Sequence, residues 1–412
     1  MKILHLVSGN LGGGAARGAY WLHKGLLDLG IDSRVLTTST QTYGDPTVNS
    51  ITTDKKGKLA ELLRRQADFS LKNFYTERKK RVFSTGLFGF NFIKTREYQE
   101  ADIVHLHWIS GGFINIKHLR KIIKPLVWTM RDMWPMTGGC HYSIDCEGYQ
   151  SGCGQCPQLG SRKSYDLSRF VFNRKKKYIP KRTELVGISD WLSNCARNSA
   201  LFEDFDIRTI YNNVNTHDFF PIRISTARQI LGLPGRQPIV LAGAQNLHDF
   251  YKGFDAYLQA LNCLKSRPLL LFFGQLNSET ISALDYNYVN LGYLHDTVSL
   301  RIAYSAADVF VAPSRMDAFG KTLAESMACG TPVVCFDATG PREIVDHLSD
   351  GYKARPFEPS DLSRGIEWLL ADRERLNKMS ENAYHKVRTK FDVPVIASKY
   401  SDLYQDLLKG SF

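Results

Sequence analysis

Long apolar runs are missing from this 412-residue chain: none approaches eighteen consecutive residues, which excludes a bilayer-spanning helix. The N-terminus, MKILHLVSGNLGGG, has too short an apolar run for a secretory leader and passes straight into glycines, which points to the cytoplasm. Cysteine is sparse. Eight residues do not make a secreted disulfide scaffold at this length. Acidic residues are outnumbered, 41 against 53 lysines and arginines, for a net charge of +12. The excess sits in three clusters of the first half. Lys55, Lys56, Lys58, Arg64 and Arg65 form the first, and Lys72, Arg78, Lys79, Lys80 and Arg81 the second. Arg174, Lys175, Lys176, Lys177, Lys181 and Arg182 form the third. Each alone reads as a solvated face. Together they suggest an anionic partner, an acidic membrane surface or a phosphorylated substrate. No nucleic-acid motif accompanies them, so nucleic acid is not expected.

What is present is organised around residues 308–351. Val309-Phe310-Val311-Ala312 reads as a buried strand stopped by Pro313 and Ser314. Leu323, Met327 and Ala328 then fall on one helical face, and Cys329-Gly330 closes that helix. Pro332 to Phe336 reads as a second buried strand, so the unit is a parallel crossover. Asp317 lies in the loop at the first strand's C-terminal end and Glu325 eight residues on, along the helix. In open α/β sheets that edge binds ligands.

Earlier in the chain, Lys2 to Ser8 reads as a strand, and a glycine loop leads from it into a helix ended by Gly30. Backbone N–H groups around Gly13 and Gly14 suit a phosphate at such a helix N-terminus. A dinucleotide fits less well. The glycines do not give G-x-G-x-x-G, and the next strand, Ser33 to Thr38, ends without an acidic residue. Residues 41–100 are polar, basic and aromatic, with Leu59, Leu62, Leu63, Phe69 and Leu71 hinting at a helix. Two readings stay open for this insertion: a segment that dips into a membrane interface, and a packed helical excursion. His105 and His107 alternate on a strand, as satisfied core histidines often do. Arg131 and Asp132 follow the strand ending at Met130, with Asp132 placed to orient the guanidinium. Cys140, Cys146, Cys153 and Cys156 then fall within seventeen residues. Four thiolates at that density in a reducing compartment suit a closed tetrahedral zinc site, with His141 as a substitute ligand. Reduced thiols or a labile disulfide are the alternatives.

The string Asp317-Ala318-Phe319-Gly320 … Glu325-Ser326-Met327-Ala328-Cys329-Gly330-Thr331-Pro332-Val333-Val334 resembles the E-x7-E signature of the retaining glycosyltransferases of family 4, with Asp in place of the first Glu. The block T-G-G-C-H-Y…C…C-G-x-C-P resembles a subgroup that assembles polysaccharide, O-antigen or colanic acid. The resemblance assigns roles. Glu325 would hold the ribose hydroxyls of the donor, and Asp317 the sugar hydroxyls. The N–H groups of Phe319, Gly320, Lys321 and Thr322 would hold sugar and phosphates. Lys252, the lysine before Gly253, matches the residue that contacts the diphosphate, and the Gly13–Gly14 loop would face the same group. Three positions depart from the pattern besides Asp317. Arg131 stands where a histidine is usual, Asn246 where an arginine is common, and Asn213 where a hinge glycine stands, a place that favours positive φ. Arg131 or Arg315 would replace the missing cation.

These readings predict an α/β, GT-B protein: two doubly wound Rossmann-like domains facing across a cleft. The expected boundaries are 1–208 for an acceptor-side domain carrying the Cys-rich loop 138–157, 209–392 for a nucleotide-sugar domain, and 393–412 for a helix crossing back to the first. The expected activity is retaining transfer from a UDP- or GDP-sugar to a polyprenyl-diphosphate-linked glycan at the inner membrane surface. Asp317, Lys252 and Arg131 are its candidate catalytic groups. No DxD pair stands in a suitable loop, so no catalytic metal is expected. A non-catalytic subunit that binds sugar nucleotides is the alternative, and an epimerase a more distant one.

Overall fold

In the computed structural model, residues 1–9, 11–276, 281 and 284–410 are described. Among these residues, runs of three to eight form thirteen strands in two sheets. The first sheet takes β1 (Lys2–Val7), β2 (Asp32–Thr37), β3 (Val48–Ser50), β4 (Ile103–Leu106), β5 (Leu126–Met130), β6 (Thr183–Gly187) and β7 (Ile207–Thr209) in the order β3-β2-β1-β4-β5-β6-β7. The second takes β8 (Ile239–Asn246), β9 (Leu269–Gln275), β10 (Tyr288–Asn290), β11 (Val309–Ala312), β12 (Val333–Phe336) and β13 (Gly351–Ala354) in the order β10-β9-β8-β11-β12-β13. Every pairing is parallel. Central strands such as β4, β5, β11 and β12 are buried along their whole length, which is why they read as unbroken apolar runs. Both sheets are Rossmann-like, and each reverses its order once. The switch points, β1/β4 and β8/β11, are where such sheets leave a crevice at the strands' C-terminal ends.

The chain divides into two units, Met1–Tyr211 with Ile396–Phe412, and Asn212–Val395. The boundary expected at 208/209 falls at 211/212. The reason is packing: β7 belongs to the first sheet, and Ile210 lies in the first core. Val214 instead bridges Asp392, and its carbonyl accepts from Val393 N–H at 3.1 Å, which keeps 393–395 with the second unit. Asn213 is not among the left-handed residues, contrary to expectation; the Val214 bridge keeps this stretch extended. Helix 393–409 lays Ile396, Tyr400, Leu403 and Tyr404 on Ile3, Leu22, Ile103 and Val127, as its periodicity predicts. Fully burying each such side chain stabilises by roughly 1.5–3 kcal/mol.

The insertion after β3 holds a helix, Lys55–Ser70, whose orientation runs against the usual rule. Leu59, Leu62 and Leu63 are 57%, 46% and 56% exposed, while Asp68 is its one buried residue. Asp68 accepts from Thr85 Oγ1 at 2.5 Å and from Leu87 N–H at 3.3 Å. The helix meets the body backbone to backbone. A Cβ at Gly112 would stand 2.6 Å from the Arg64 carbonyl carbon and the Arg65 nitrogen.

Candidate active site

In the second unit the site begins with two turns stitched together. Arg315 N–H donates to the Tyr251 carbonyl at 2.8 Å, tying the loop after β11 to the turn that carries Lys252. Gly253 is left-handed (φ +64°), and a Cβ there would fall 2.0 Å from the Pro313 carbonyl oxygen. Only glycine lets these turns approach. The approach puts Lys252 Nζ 2.8 Å from Asp317 Oδ2. The other carboxylate oxygen, Oδ1, accepts the N–H groups of Phe319 (3.2 Å) and Gly320 (3.0 Å), at the start of helix 321–328. Burial alone would raise the Asp317 pKa, but the Lys252 ammonium and the two N–H donors outweigh it and hold the carboxyl below its usual range. Burial alone would likewise lower the Lys252 pKa, and Asp317 reverses that. Both groups are ionised at neutral pH, with side chains 30% and 16% exposed.

Glu325 lies on the same helix, 1% exposed, and accepts from Tyr304 OH at 3.3 Å. Phe319 and Gly320 are buried, and Lys321 and Thr322 half-buried, at the helix start. Arg315 does not supply the missing cation freely. Its Nη1 and Nη2 each stand 2.5 Å from Asp255, a bidentate pair. Asn246 caps its own turn by accepting from His248 N–H at 2.9 Å.

In the first unit, Gly13 caps and Gly14 opens helix 14–28 at the end of β1. A Cβ at Gly14 would meet nothing within 4 Å, and no acidic residue occupies the first turn. The positive end of the helix dipole therefore meets no carboxylate from its own first turn. Arg131, at the end of β5, is 7% exposed, and its Nη2 lies 3.3 Å from His107 Nδ1. Burial pulls its pKa down to about 10 against the opposing influence of Tyr400 and Tyr404, and it remains charged. Beneath it, His5 Nδ1 and His107 Nε2 share a hydrogen bond of 2.9 Å. His105 bonds Tyr404 OH (2.6 Å) and Thr129 Oγ1 (2.7 Å). Among the described residues these three histidines alone bring three ligand atoms within 4.8 Å of one another. Four of their six ring nitrogens are already hydrogen-bonded in these pairs and a cation adjoins them, so the cluster reads as a hydrogen-bonded core, as expected for His105 and His107.

Asp132, offered by the sequence as the orienter of Arg131, is shared among other donors. Trp108 Nε1 lies 2.8 Å from its Oδ2, His141 Nδ1 lies 2.6 Å from the same oxygen, and Trp134 N–H reaches Oδ1 at 2.9 Å. Ser84 Oγ completes a chain at 2.9 Å from His141 Nε2. Serine, histidine and aspartate stand here in the order of a nucleophilic triad. Ser84 is wholly buried, however, so the chain acts as a clamp on the loop. Nothing in the sequence around Ser84 signals this partnership across 57 positions. The clamp also corrects two expectations. His141 has both ring nitrogens engaged, which removes it as a substitute metal ligand. Lys175, counted in a solvated cluster, is fully buried, with Nζ bonded to the Trp134 carbonyl and, at 2.9 Å, to that of Thr137.

Comparison with known proteins agrees with this geometry. Residues 224–386 match the model of the family described as glycosyl transferases group 1. The D-inositol 3-phosphate glycosyltransferase of Thermobispora bispora is 32% identical over 338 residues, 75% of this chain and 71% of that protein. The chain belongs to the group 1 glycosyl transferases. A Campylobacter jejuni relative, N,N'-diacetylbacillosaminyl-diphospho-undecaprenol alpha-1,3-N-acetylgalactosaminyltransferase, is 27% identical over 256 residues, 60% of this chain and 66% of that protein. The chain thus spans about two thirds of that relative's own length. Anabaena HepE, solved in complex with UDP and glucose, shares the fold at a TM-score of 0.65 and 19% identity over 98% of this chain and all of that one. In this group 1 glycosyl transferase the matched segment holds Lys252, Asp317 and Glu325. The glycine loop, Arg131 and the four cysteines lie outside it.

One prediction follows from the Lys252 turn. Gly253→Ala forces a left-handed alanine against the Pro313 carbonyl and is expected to cost about 2 kcal/mol or more of second-unit stability, read as a lowered urea midpoint. An unchanged midpoint would mean that the two turns do not need their close approach.

Proposed function

We propose that this glycosyl transferase moves a sugar from a nucleotide-diphosphate donor, UDP- or GDP-linked, to a polyprenyl-diphosphate-linked glycan, with retention at the anomeric carbon, in assembly of a cell-surface polysaccharide. One observation carries the reading: the ionised Lys252–Asp317 pair at the N-terminus of helix 321–328, with Glu325 on the same helix. Transfer must stabilise negative charge on a departing diphosphate and positive charge on an oxocarbenium-like sugar. Lys252 and the dipole of helix 321–328 suit the first. Asp317, held ionised, suits the sugar hydroxyls and lies beside the cation. In the resembling family the leaving phosphate oxygen takes the acceptor's proton, so no protein nucleophile is assigned and no divalent metal is required. Asp317 reaches both Lys252 and the helix N–H groups although it is one methylene shorter than Glu, which favours a working site over a subunit that only binds sugar nucleotides. The test is stereochemical. Proton NMR of the product should give the donor's anomeric configuration; inversion would remove the retaining assignment.

The acceptor half of the proposal rests on the first unit. The name of the Campylobacter relative contains a diphospho-undecaprenol-linked sugar, and the helix at 55–70 offers a surface suited to such a substrate's membrane. Leu59, Leu62 and Leu63 project together, flanked by Lys55, Lys56, Lys58 and Arg65, with Phe74 84% exposed just beyond. Apolar side chains ringed by cations match the interface of an anionic bilayer. Replacing the three leucines with serine is expected to weaken binding to vesicles containing anionic phospholipid by about tenfold or more. Raised salt should weaken it too. Equal sedimentation of variant and parent would exclude this helix as the contact.

A further inference from the structure

The four cysteines of residues 138–157 take no part in the chemistry above. All are free; Cys140 and Cys156 are buried and Cys146 and Cys153 half-buried, and all four line one pocket. The Cys140 thiol is within electrostatic reach of the other three, and Cys153 and Cys156 are each within reach of Cys146. Two of the sulfurs receive backbone donors. Gly148 N–H points at Cys146 Sγ (3.4 Å) and Gly138 N–H at Cys153 Sγ (3.2 Å).

The backbone is wound so that these four side chains line one pocket. Gly152 (φ +101°), Cys153 (+61°), Gly154 (+100°) and Gln155 (+46°) are four successive residues at positive φ. Two of them, Cys153 and Gln155, carry a Cβ, which the left-handed region disfavours. The hook they form turns Cys153 and Cys156 into the same pocket as Cys140 and Cys146. Strain of this kind clusters at active sites, ligand clamps and switch regions.

Charge completes the picture. The fully buried Lys175 has no carboxylate within 4.0 Å among the described residues, and its ammonium sits 3.9 Å over the Trp134 ring. Burial pulls the Lys175 pKa down to about 7, and the influences that oppose it are led by the Cys140 and Cys153 sulfurs, ahead of Asp132 and Asp68. Arg169 covers the hook from outside: a Cβ at Gly152 would lie 2.8 Å from its Nη1. Four thiolates around a divalent ion carry a net charge of about −2, which two such cations neutralise.

We propose that Cys140, Cys146, Cys153 and Cys156 bind one structural zinc ion as thiolates, with Lys175 and Arg169 as its countercharges. Binding releases the thiol protons to solvent, and all four coordination positions are filled by the protein, so the ion does no chemistry on substrate. No three of these sulfurs lie mutually within 4.8 Å, so holding zinc at about 2.3 Å from each would require the hook to close inward. Cys140 adjoins His141, whose bond to Asp132 reaches the residue after Arg131. The ion therefore braces the loop beside β5.

Elemental analysis of the full-length protein after exhaustive dialysis is expected to find about one zinc per chain. Cysteine-to-serine replacement at Cys153 should remove most of it, while the same change at the exposed Cys263 should leave it in place. Removal by chelator should lower Tm, and added zinc should restore it. Should the Cys153 variant fail to fold, cobalt(II) exchange into the parent chain decides the matter. Tetrahedral tetrathiolate cobalt gives intense sulfur-to-metal charge-transfer bands. Dialysed protein with no bound zinc and no such bands on adding cobalt would overturn the proposal.

Discussion

Alanine at Lys252 lowers the transfer rate by about two to three orders of magnitude, the scale seen when one preorganised charge donor is removed from a transition state. The geometry says why the loss is large. Lys252 is the cation paired with Asp317, Arg315 is spent on Asp255, and Asn246 stands where a second cation is usual. Neither Arg315 nor Asn246 is therefore placed to substitute. The loss should fall on kcat more than on KM, because charge on the leaving diphosphate grows as the bond to the sugar breaks. Asp317→Glu separates this account from a purely structural one. It keeps the ion pair while moving the carboxylate by one methylene, so it should retain turnover and shift the preference among donor sugars. Equal rates for parent and Lys252→Ala protein, at saturating donor, would show that the leaving group is stabilised elsewhere.

Acid should unfold the first unit early. His5, His105 and His107 are fully buried, and burial, followed by neighbouring charges such as Arg131, holds each pKa well below its ordinary value. His23 is lowered to about 4, again by burial, with Lys24 adding to the effect and Asp45 opposing it. Tyr400 and Tyr404 face the cluster from the terminal helix and bring no negative charge at these pH values. The folded state therefore keeps these rings neutral as pH falls. The unfolded chain takes up protons once pH drops below about 6.5. The unfolded state then binds more protons, so stability is full above that pH and is lost below it. Three to four such groups give a slope of roughly 4 kcal/mol per pH unit near pH 5. Trp21, Trp108, Trp128, Trp134 and Trp191 lie in the first unit and only Trp368 in the second, so tryptophan fluorescence in urea reports the right transition. A urea midpoint that stays flat from pH 7 to 5 would contradict this reading of the cluster.

Residues 308–351 were legible because local and global preferences agree there. Val309–Ala312 and Val333–Phe336 are buried on both faces, so they read as apolar runs, and the helix between them buries the face its spacing marks. The pairing of Lys252 with Asp317 was not legible. It depends on a glycine whose need is set by a carbonyl 60 positions away in sequence, between Gly253 and Pro313. Helix 55–70 shows a different limit. Periodicity identifies a helix's apolar stripe but not the side it faces, and here the leucines face outward while the glycine-lined backbone of Gly112 makes the contact. Lys175 shows a third. Within a run of four basic residues composition favours solvent, yet its register in helix 167–178 turns that one side chain under Trp134.

The most direct test of the account gives the purified full-length protein a panel of UDP- and GDP-sugars, with and without a polyprenyl-diphosphate-linked glycan, and measures nucleotide diphosphate release. Rapid release is expected with one donor only when the acceptor is present, and Lys252→Ala should abolish it. Tight donor binding with no release in the presence of any lipid-linked acceptor would contradict it.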